Sequence, residues 1–327
     1  MKSVNNDNQL KFVINQVVMS GSKIDKISLT FDIKDENHQQ FMKGYIWDLK
    51  TYPVSGAMSV AGSGYKANLK FNGIQSDGSP YPHCILLQLA PHKATAQFAR
   101  LEWNPGKVTP AQWFSFLKFV FDQLDLDLPK ALKGARVTRL DICRDVCGVG
   151  MEDFFSKASR KRHALMYYGS SGQVETIYHG KQSGAQVRIY DKRKQAGLDE
   201  PVTRFEVSLV KPFMLIDILN VANPFLNIKV FDLKPHGLVL DPDLFICFRD
   251  SCRLRGVKNA LKLLSPASRK VFTKLIKDAK PSWWQVEKGW EQDWIKAVTQ
   301  AYLLPEQISV SPFVSGTTKI HKNTSPS

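Results

Sequence analysis

Val137-Thr-Arg-Leu-Asp-Ile-Cys-Arg-Asp145, Val187-Arg-Ile-Tyr-Asp-Lys192 and Val202-Thr-Arg-Phe-Glu-Val-Ser-Leu209 share one pattern: each alternates apolar and polar residues with period two. Successive side chains of a strand point to opposite faces, so each stretch fixes one apolar and one polar face. Leu140 and Ile142 oppose Arg139, Asp141, Cys143 and Asp145. Val187 and Ile189 oppose Arg188, Tyr190 and Lys192, while Phe205, Val207 and Leu209 oppose Arg204, Glu206 and Ser208. If the three strands share a sheet, its polar face gathers three carboxylates, at least four cations and a phenol. Such a set suits metal-assisted phosphoryl transfer.

Asp141, Asp145 and Glu206 sit in strongly apolar strands, and a buried carboxylate needs a cation or a metal. Hard oxygen donors favour Mg²⁺ or Mn²⁺, which also bind phosphate oxygens. The alternative is cross-strand pairing of Arg139, Arg188 and Arg204 with these acids. Tyr190 lies between Arg188 and Lys192, cations that stabilise a phenolate and bind a phosphate. A phenol of ordinary pKa near 10 needs such help to act as a nucleophile. Tyr178, on the polar side of the strand around Ile177, is the rival nucleophile, and Tyr167 and Tyr168 are weaker candidates. No two of the seven histidines lie two residues apart, so a His-x-His metal pair is absent, although His179 could approach the site. No Walker loop, Gly-x-Gly-x-x-Gly or Gly-x-Ser-x-Gly occurs, which removes the parts for nucleotide hydrolysis and serine-hydrolase chemistry.

Outward from these strands, the pattern reads as α+β: an antiparallel sheet with helices on one face and a basic helical C-terminal region. Residues 1–25 read as a loose start with one amphipathic segment, Leu10–Met19. Residues 26–130 form a first α+β half, with strands at Lys26–Ile33, Gly64–Phe71, Ile85–Leu89 and Ala99–Trp103. A helix at Thr109–Leu124 follows, with Thr109 as N-cap and Pro110 at the first helical position. Residues 134–247 form the catalytic half. It has the strand Val137–Asp145, a helix Met151–Leu165, strands Val174–Tyr178, Gln186–Asp191 and Thr203–Leu209, and a helix Pro212–Leu219. The similar order of the halves allows a duplicated sheet-plus-helix unit.

Residues 248–305 form the basic helical region. Ten Lys/Arg against two acids lie between Arg249 and Lys280, within a chain of 45 Lys+Arg and 30 Asp+Glu with net charge +15. That balance calls for a polyanion, and a helix pair here fits duplex binding. Arg253, Arg255, Lys258, Lys262, Arg269, Lys270, Lys274 and Lys277 are the candidate phosphate contacts. If about six of them meet phosphates, log affinity falls against log salt with a slope of roughly −5. Leu254, Val257, Leu261 and Leu264 fit one apolar helix face, and Val271, Leu275 and Ile276 another. Trp283, Trp284, Trp290 and Trp294 read as a small core rather than a stacking platform, and residues 306–327 as a disordered tail. Five scattered cysteines and no signal-peptide pattern suggest free thiols in a reducing cytoplasm. No run approaches 18 apolar residues, so no membrane span is expected.

Four motifs in order, Arg139-Leu-Asp-Ile-Cys-Arg-Asp145, Glu175-Thr-Ile-Tyr-His-Gly180, Val187-Arg-Ile-Tyr-Asp-Lys192 and Thr203-Arg-Phe-Glu206, resemble a known set. They are similar to the replication initiators of rolling-circle plasmids, the trans-acting plasmid group, and of filamentous phages. The resemblance covers residues ~135–210. It implies a nickase and ligase that binds a double-strand origin, acts on its melted single strand, and stays attached to the 5′ end. The free 3′-hydroxyl would then prime synthesis, with a host helicase and polymerase as partners. A homodimer would suit a reaction that must both start and terminate. The family's Arg-x-Tyr-(Asp/Glu)-Lys motif maps onto Arg188, Tyr190, Asp191 and Lys192, and its metal-side carboxylates onto Asp141 and Glu206, with Asp145 beside them. Arg139 and Arg204 would orient carboxylates or contact DNA. After Lys192 the sequence departs from the plasmid pattern. Two other classes fit a charged sheet face: a non-catalytic DNA-binding regulator of a phage or plasmid, and a palm-type polymerase or primase.

Overall fold

The computed structural model describes residues 17–51, 64–74, 80–159, 161, 164–181, 184–232, 241–278 and 280–304. Most of the expected N-terminal amphipathic segment and the expected C-terminal tail lie outside them.

Period-two alternation becomes strand throughout the first half. The elements are β1 (Val18–Met19), β2 (Lys23–Phe31), α1 (Glu36–Thr51), β3 (Tyr65–Ile74), β4 (Pro80–Pro91), β5 (Ala99–Trp103), α2 (Pro110–Leu124) and α3 (Leu128–Leu132). The second half follows with β6 (Arg136–Cys147), β7 (Phe154–Ala158), β8 (Ala164–Tyr168), β9 (Val174–His179), β10 (Gln186–Asp191), α4 (Lys192–Ala196), β11 (Val202–Leu209), β12 (Phe213–Met214) and β13 (Ile228–Asp232). The chain then forms α5 (Pro242–Arg255), α6 (Val257–Lys262), α7 (Pro266–Asp278) and α8 (Trp290–Gln300). Nine strands pair antiparallel in the order β3-β4-β5-β2-β6-β11-β10-β9-β8, and β1 and β12 pair with the two ends of β6. The fold is therefore α+β with one large antiparallel sheet.

One face of this sheet carries the core. Ile27, Leu29, Leu101, Leu140, Ile142, Ile189 and Phe205 are fully buried there. Trp113, Phe116, Val120 and Leu124 of α2 and Trp294, Ala297 and Val298 of α8 join the same cluster. Helix α2 starts where its sequence says it should. Thr109 accepts from the Gln112 amide, the Gln112 side chain accepts from the Thr109 amide, and Pro110 sits where no donor is needed.

The sheet is laid out symmetrically about β2 and β6. Outward from β2 come β5, β4 and β3, and outward from β6 come β11, β10 and β9. The duplication holds for these strands and fails for the helices. The expected helix at Met151–Leu165 is instead β7 and β8, because Phe154, Phe155 and Ala158 face two separate cores and β7 pairs with β13. Helix α1 has no counterpart among the expected elements, since Glu36–Thr51 carries only a weak apolar stripe. The expected helix at Pro212–Leu219 is β12 followed by a 3₁₀ turn, Leu215–Asn220.

Two boundaries also move. Residues 17–25 contribute to the sheet, through β1 and the start of β2. The C-terminal region is not one unit. Helices α5–α7 enclose a small core of Phe245, Phe248, Cys252, Ala260 and Phe272 with Phe155, whereas α8 and the tryptophans belong to the main core. Leu254 and Val271, expected to be inward, are exposed because Cys252 and Phe272 take the inward positions. Trp284, Trp290 and Trp294 each donate their indole N–H to a backbone carbonyl, as packed residues do and base-stacking platforms need not. The five cysteines are free, and among the described residues no helix is long and apolar enough to cross a membrane.

Candidate active site

The three charged stretches are neighbours, as β6, β11 and β10, and their polar residues share the face opposite the core. Two rows cross it. Asp145, Arg204, Tyr190 and Thr176 stand side by side, and next to them Cys143, Glu206, Arg188 and Tyr178. Strand β11 is buried almost throughout because the core covers one face and this ion-pair layer the other. The Tyr178 row depends on the β9–β10 hairpin, which turns through Gly180. Its φ of 98° and the Ala185 carbonyl 2.9 Å from where a Cβ would sit both require glycine.

Each carboxylate is held by an arginine. Arg204 donates Nε and Nη2 to the two oxygens of Asp145 at 2.6 and 2.9 Å, and Nη1 to Asp25 at 2.9 Å. Arg188 Nη2 donates to Glu206 at 2.7 Å. Arg139 Nε donates to both oxygens of Asp141 at 3.0 Å. Arginine pairing therefore accounts for the acids, across strands for Asp145 and Glu206 and along β6 for Asp141. Arg204, buried against Asp145 and Asp25, orients carboxylates rather than reaching for DNA, and Arg139 is half-exposed.

The electrostatics follow from burial. Burial would raise the Asp145 carboxyl, but Arg204 and Lys23 hold it below the ordinary range. Burial outweighs Arg188 at Glu206 and leaves that carboxyl raised. The Tyr190 phenol is pushed up to about 12, burial outweighing Arg204 and Arg188. Flanking cations alone therefore do not make Tyr190 a phenolate at neutral pH, contrary to the expectation from its neighbours. The Arg188 guanidinium lies 4.8 Å from the centre of the Tyr190 ring. Its buried Nε has no hydrogen-bond partner. A buried cationic donor without an acceptor is costly, and this one lies beside the phenol.

Other assignments shift. Lys192 opens α4 rather than continuing the strand, and its Nζ donates to Gln195 Oε1 at 2.7 Å. It stays close enough to lower the Asp145 pKa. His179 lies on the core side, hydrogen-bonded to Ser156 Oγ at 2.9 Å, so it does not approach Tyr190. Tyr178 shares the face of Tyr190, one strand further from the acids, with its ring 5.6 Å from that of Tyr167. The residue missed is Asp25. Its clue was a break in alternation, since the inward Ile24 and Ile27 stand three residues apart where period two allows two or four. That break marks a register shift against β6 between Ile24 and Lys26, where Asp25 turns onto Arg204.

Among the candidate phosphate contacts, Arg255, Lys258, Lys262, Lys270 and Lys274 are exposed. Arg269, although exposed, donates to the carbonyls of Leu261, Lys262 and Leu264 and caps α6. Arg253 donates to the Glu152 carbonyl. Lys277 is on α7, its side chain outside the described residues.

For a divalent ion the donor chemistry fits: Asp141 and Glu206 offer hard oxygens on adjacent strands of one face, and the Asp141 charge helps to raise the Glu206 carboxyl. The arrangement is closed by arginine, and among the described residues no three His, Cys, Asp or Glu side chains converge on one point.

No family model matches the chain. It is 27% identical over 97 residues, 29% of its own length, to a replication initiation protein of Staphylococcus aureus, and the match spans 28% of that relative's length. Among solved structures it is similar to the rolling circle replication initiator protein of Geobacillus stearothermophilus. The TM-score is 0.36 at 14% identity, covering 74% of this chain and 98% of the other.

Proposed function

We propose that the chain is a rolling-circle replication initiator of the trans-acting plasmid and filamentous-phage kind. It would bind a double-strand origin, nick one strand through a tyrosine, stay linked to the 5′ end and later religate. The observation that carries this reading is Tyr190 beside Arg188, whose buried Nε lacks an acceptor, within a layer of paired acids and arginines. The local likeness to a replication initiation protein supports the same reading.

In this reading Arg188 turns so that a phosphate oxygen supplies the acceptor its Nε lacks, and that contact positions phosphorus next to the phenol. The Tyr190 oxygen forms a bond to phosphorus as the bond to the 3′ oxygen breaks. The leaving oxygen takes up a proton and becomes the 3′-hydroxyl. The phenol gives up its proton to solvent, Glu206 being kept for the ion. Arg188 and Lys192 offset charge in the transition state. Arg204 holds Asp145 and Asp25 in place behind the nucleophile. Asp141 and Glu206 are the residues we propose to hold Mg²⁺ or Mn²⁺, once Arg139 and Arg188 turn to phosphate. A bound ion would polarise a phosphoryl oxygen. The exposed cations of α5–α7 are proposed to meet duplex phosphates.

The test is a nicked or partly single-stranded suicide oligonucleotide carrying the cognate origin, incubated with the protein and Mg²⁺ or Mn²⁺. A denaturation-resistant protein–DNA adduct is expected with the wild type and with Tyr178→Phe, and none with Tyr190→Phe. An adduct that survives Tyr190→Phe would overturn the assignment of the nucleophile. Because every carboxylate is held by an arginine, a DNA-binding regulator is the second reading. It predicts origin binding with no adduct from any variant.

A further inference from the structure

On the side of the sheet away from Tyr190, a cavity of about 540 Å³ opens between β7–β9 and the junction of α5 and α6. This is within the ~300–1,000 Å³ usual for small-molecule sites. Its floor is apolar, with Met166 and Ile177, and carries one polar pair, Ser156 and the buried His179. Lys157, Lys161, Arg253, Arg255 and Lys258 surround it, and among the described residues its lining includes no acid. Cations around a low-dielectric cleft concentrate an anion there. An apolar floor with one hydrogen-bonding pair and a cationic rim matches a nucleotide, base inward and phosphates outward.

A route joins this cavity to the tyrosine face. Strand β8 is the edge of the sheet, and Leu165, Tyr167 and Tyr168 on it are more than half exposed. Tyr167 contacts Tyr178 on the catalytic face, whereas Tyr168 lines the cavity. Two strand spacings, ~10 Å, separate β10 from β8. A single strand leaving Tyr190 would cross Tyr178 and Tyr167, round the edge and reach the cavity. Bases stack on exposed aromatics of this kind whatever their sequence.

We infer that the cavity holds one unpaired nucleotide of a DNA strand, its base on Met166 and Ile177 against Ser156 and His179, its phosphates among the surrounding cations. The identity of that strand rests on the nickase reading, whereas the site itself does not.

The probe is a single-stranded oligothymidine carrying 4-thiothymidine, added to the full chain. Ultraviolet cross-links are expected in 154–158, 164–179 or 252–258, and cross-links confined to other segments would overturn the inference. Met166→Trp fills the cavity. It is expected to weaken oligothymidine binding about tenfold or more while leaving duplex binding unchanged. Unchanged oligothymidine affinity in a Met166→Trp protein with wild-type melting temperature would also overturn it. If that variant does not fold, Lys157→Glu with Arg255→Glu, both exposed, takes its place with the same expected loss for oligothymidine. The two readings fail separately. An adduct at Tyr190 with no cross-link in these segments removes the cavity assignment alone, and cross-links there without any adduct remove the nickase alone.

Discussion

The two halves of the sheet use one plan and put different groups on it. In the first half Arg100 and Glu102 of β5 face Thr30 and Ser28 of β2, and in the second Arg204 and Glu206 of β11 face Asp145 and Cys143 of β6. One strand further out, Gln88 and Leu86 stand where Tyr190 and Arg188 stand. The first half closes on itself. Arg100 donates to Gln88 at 2.6 Å and shares Glu102 with Lys26 and Ser28, and Gln88 donates to Asn68. The second half has the same Arg-x-Glu strand but brings in a second arginine and a phenol, and it leaves the Arg188 Nε without an acceptor. A charged sheet face is therefore not by itself a site. On the polar face, the unpartnered Arg188 Nε and the Tyr190 phenol distinguish the two halves.

The sharpest test of that difference pairs matched substitutions. Glu206→Gln is expected to slow adduct formation by about 10²-fold or more, since it removes a carboxylate proposed to hold the ion and with it several kcal/mol of transition-state stabilisation, with origin binding retained. Glu102→Gln should leave the rate within about twofold, since Glu102 serves no reacting atom. Equal losses in the two variants would erase the functional distinction between the halves.

Stability should differ next. Arg204→Met removes the main cation of Asp145, leaving it Lys23 at 3.8 Å, and breaks the Asp25 pair, and is expected to cost about 3 kcal/mol in denaturant unfolding. Arg100 is more exposed and its acid keeps Lys26, so Arg100→Met should cost about 1 kcal/mol. The acid limb follows from the same pairing. The Asp145 pKa is lower in the folded state than its ordinary 3.8. Its contribution is therefore present above that value and is lost as pH falls through the folded pKa. In Arg204→Met this part of the acid transition should shrink, with Lys23 still beside Asp145.

The pH dependence of cleavage probes the phenol alone. With the Tyr190 pKa at about 12, the phenolate fraction rises about tenfold per unit below that value. Adduct formation should climb from about pH 7 to about pH 9 without a plateau. A plateau below about pH 8 would mean that a neighbour already removes the proton. The smallest effect concerns geometry. Gly180→Ala strains a positive-φ turn against the Ala185 carbonyl and is expected to destabilise the protein by about 1–3 kcal/mol, with a further fall in kcat if the Tyr178 row shifts. Gly172→Ala, also at positive φ but with open space around it, should cost less.

Much of the fold was legible where the period was clean. The strands β5, β10 and β11, and helix α2 with its capping box, follow from local pattern because each has one face in the core. Legibility failed where two cores compete for one segment. The stretch 151–165 carries apolar residues for both, so its spacing looked helical while the structure needed β7 and β8. The site was legible as a set of side chains on one face. What those side chains do to one another was not, since Asp145 and Arg204 are 59 residues apart and Asp25 and Arg204 are 179 apart.

Which residues share a face is written in the chain itself, because alternation is a local property of an extended backbone. So is the excess of positive charge that suits a polyanion. Strand order is not local. Packing places β11 inside the sheet, between β6 and β10, and seals each carboxylate under an arginine. Packing also keeps the Tyr190 phenol protonated despite two nearby cations, and leaves the Arg188 Nε without an acceptor. Those outcomes depend on distance and desolvation, which arise only when strands far apart in the chain are brought side by side.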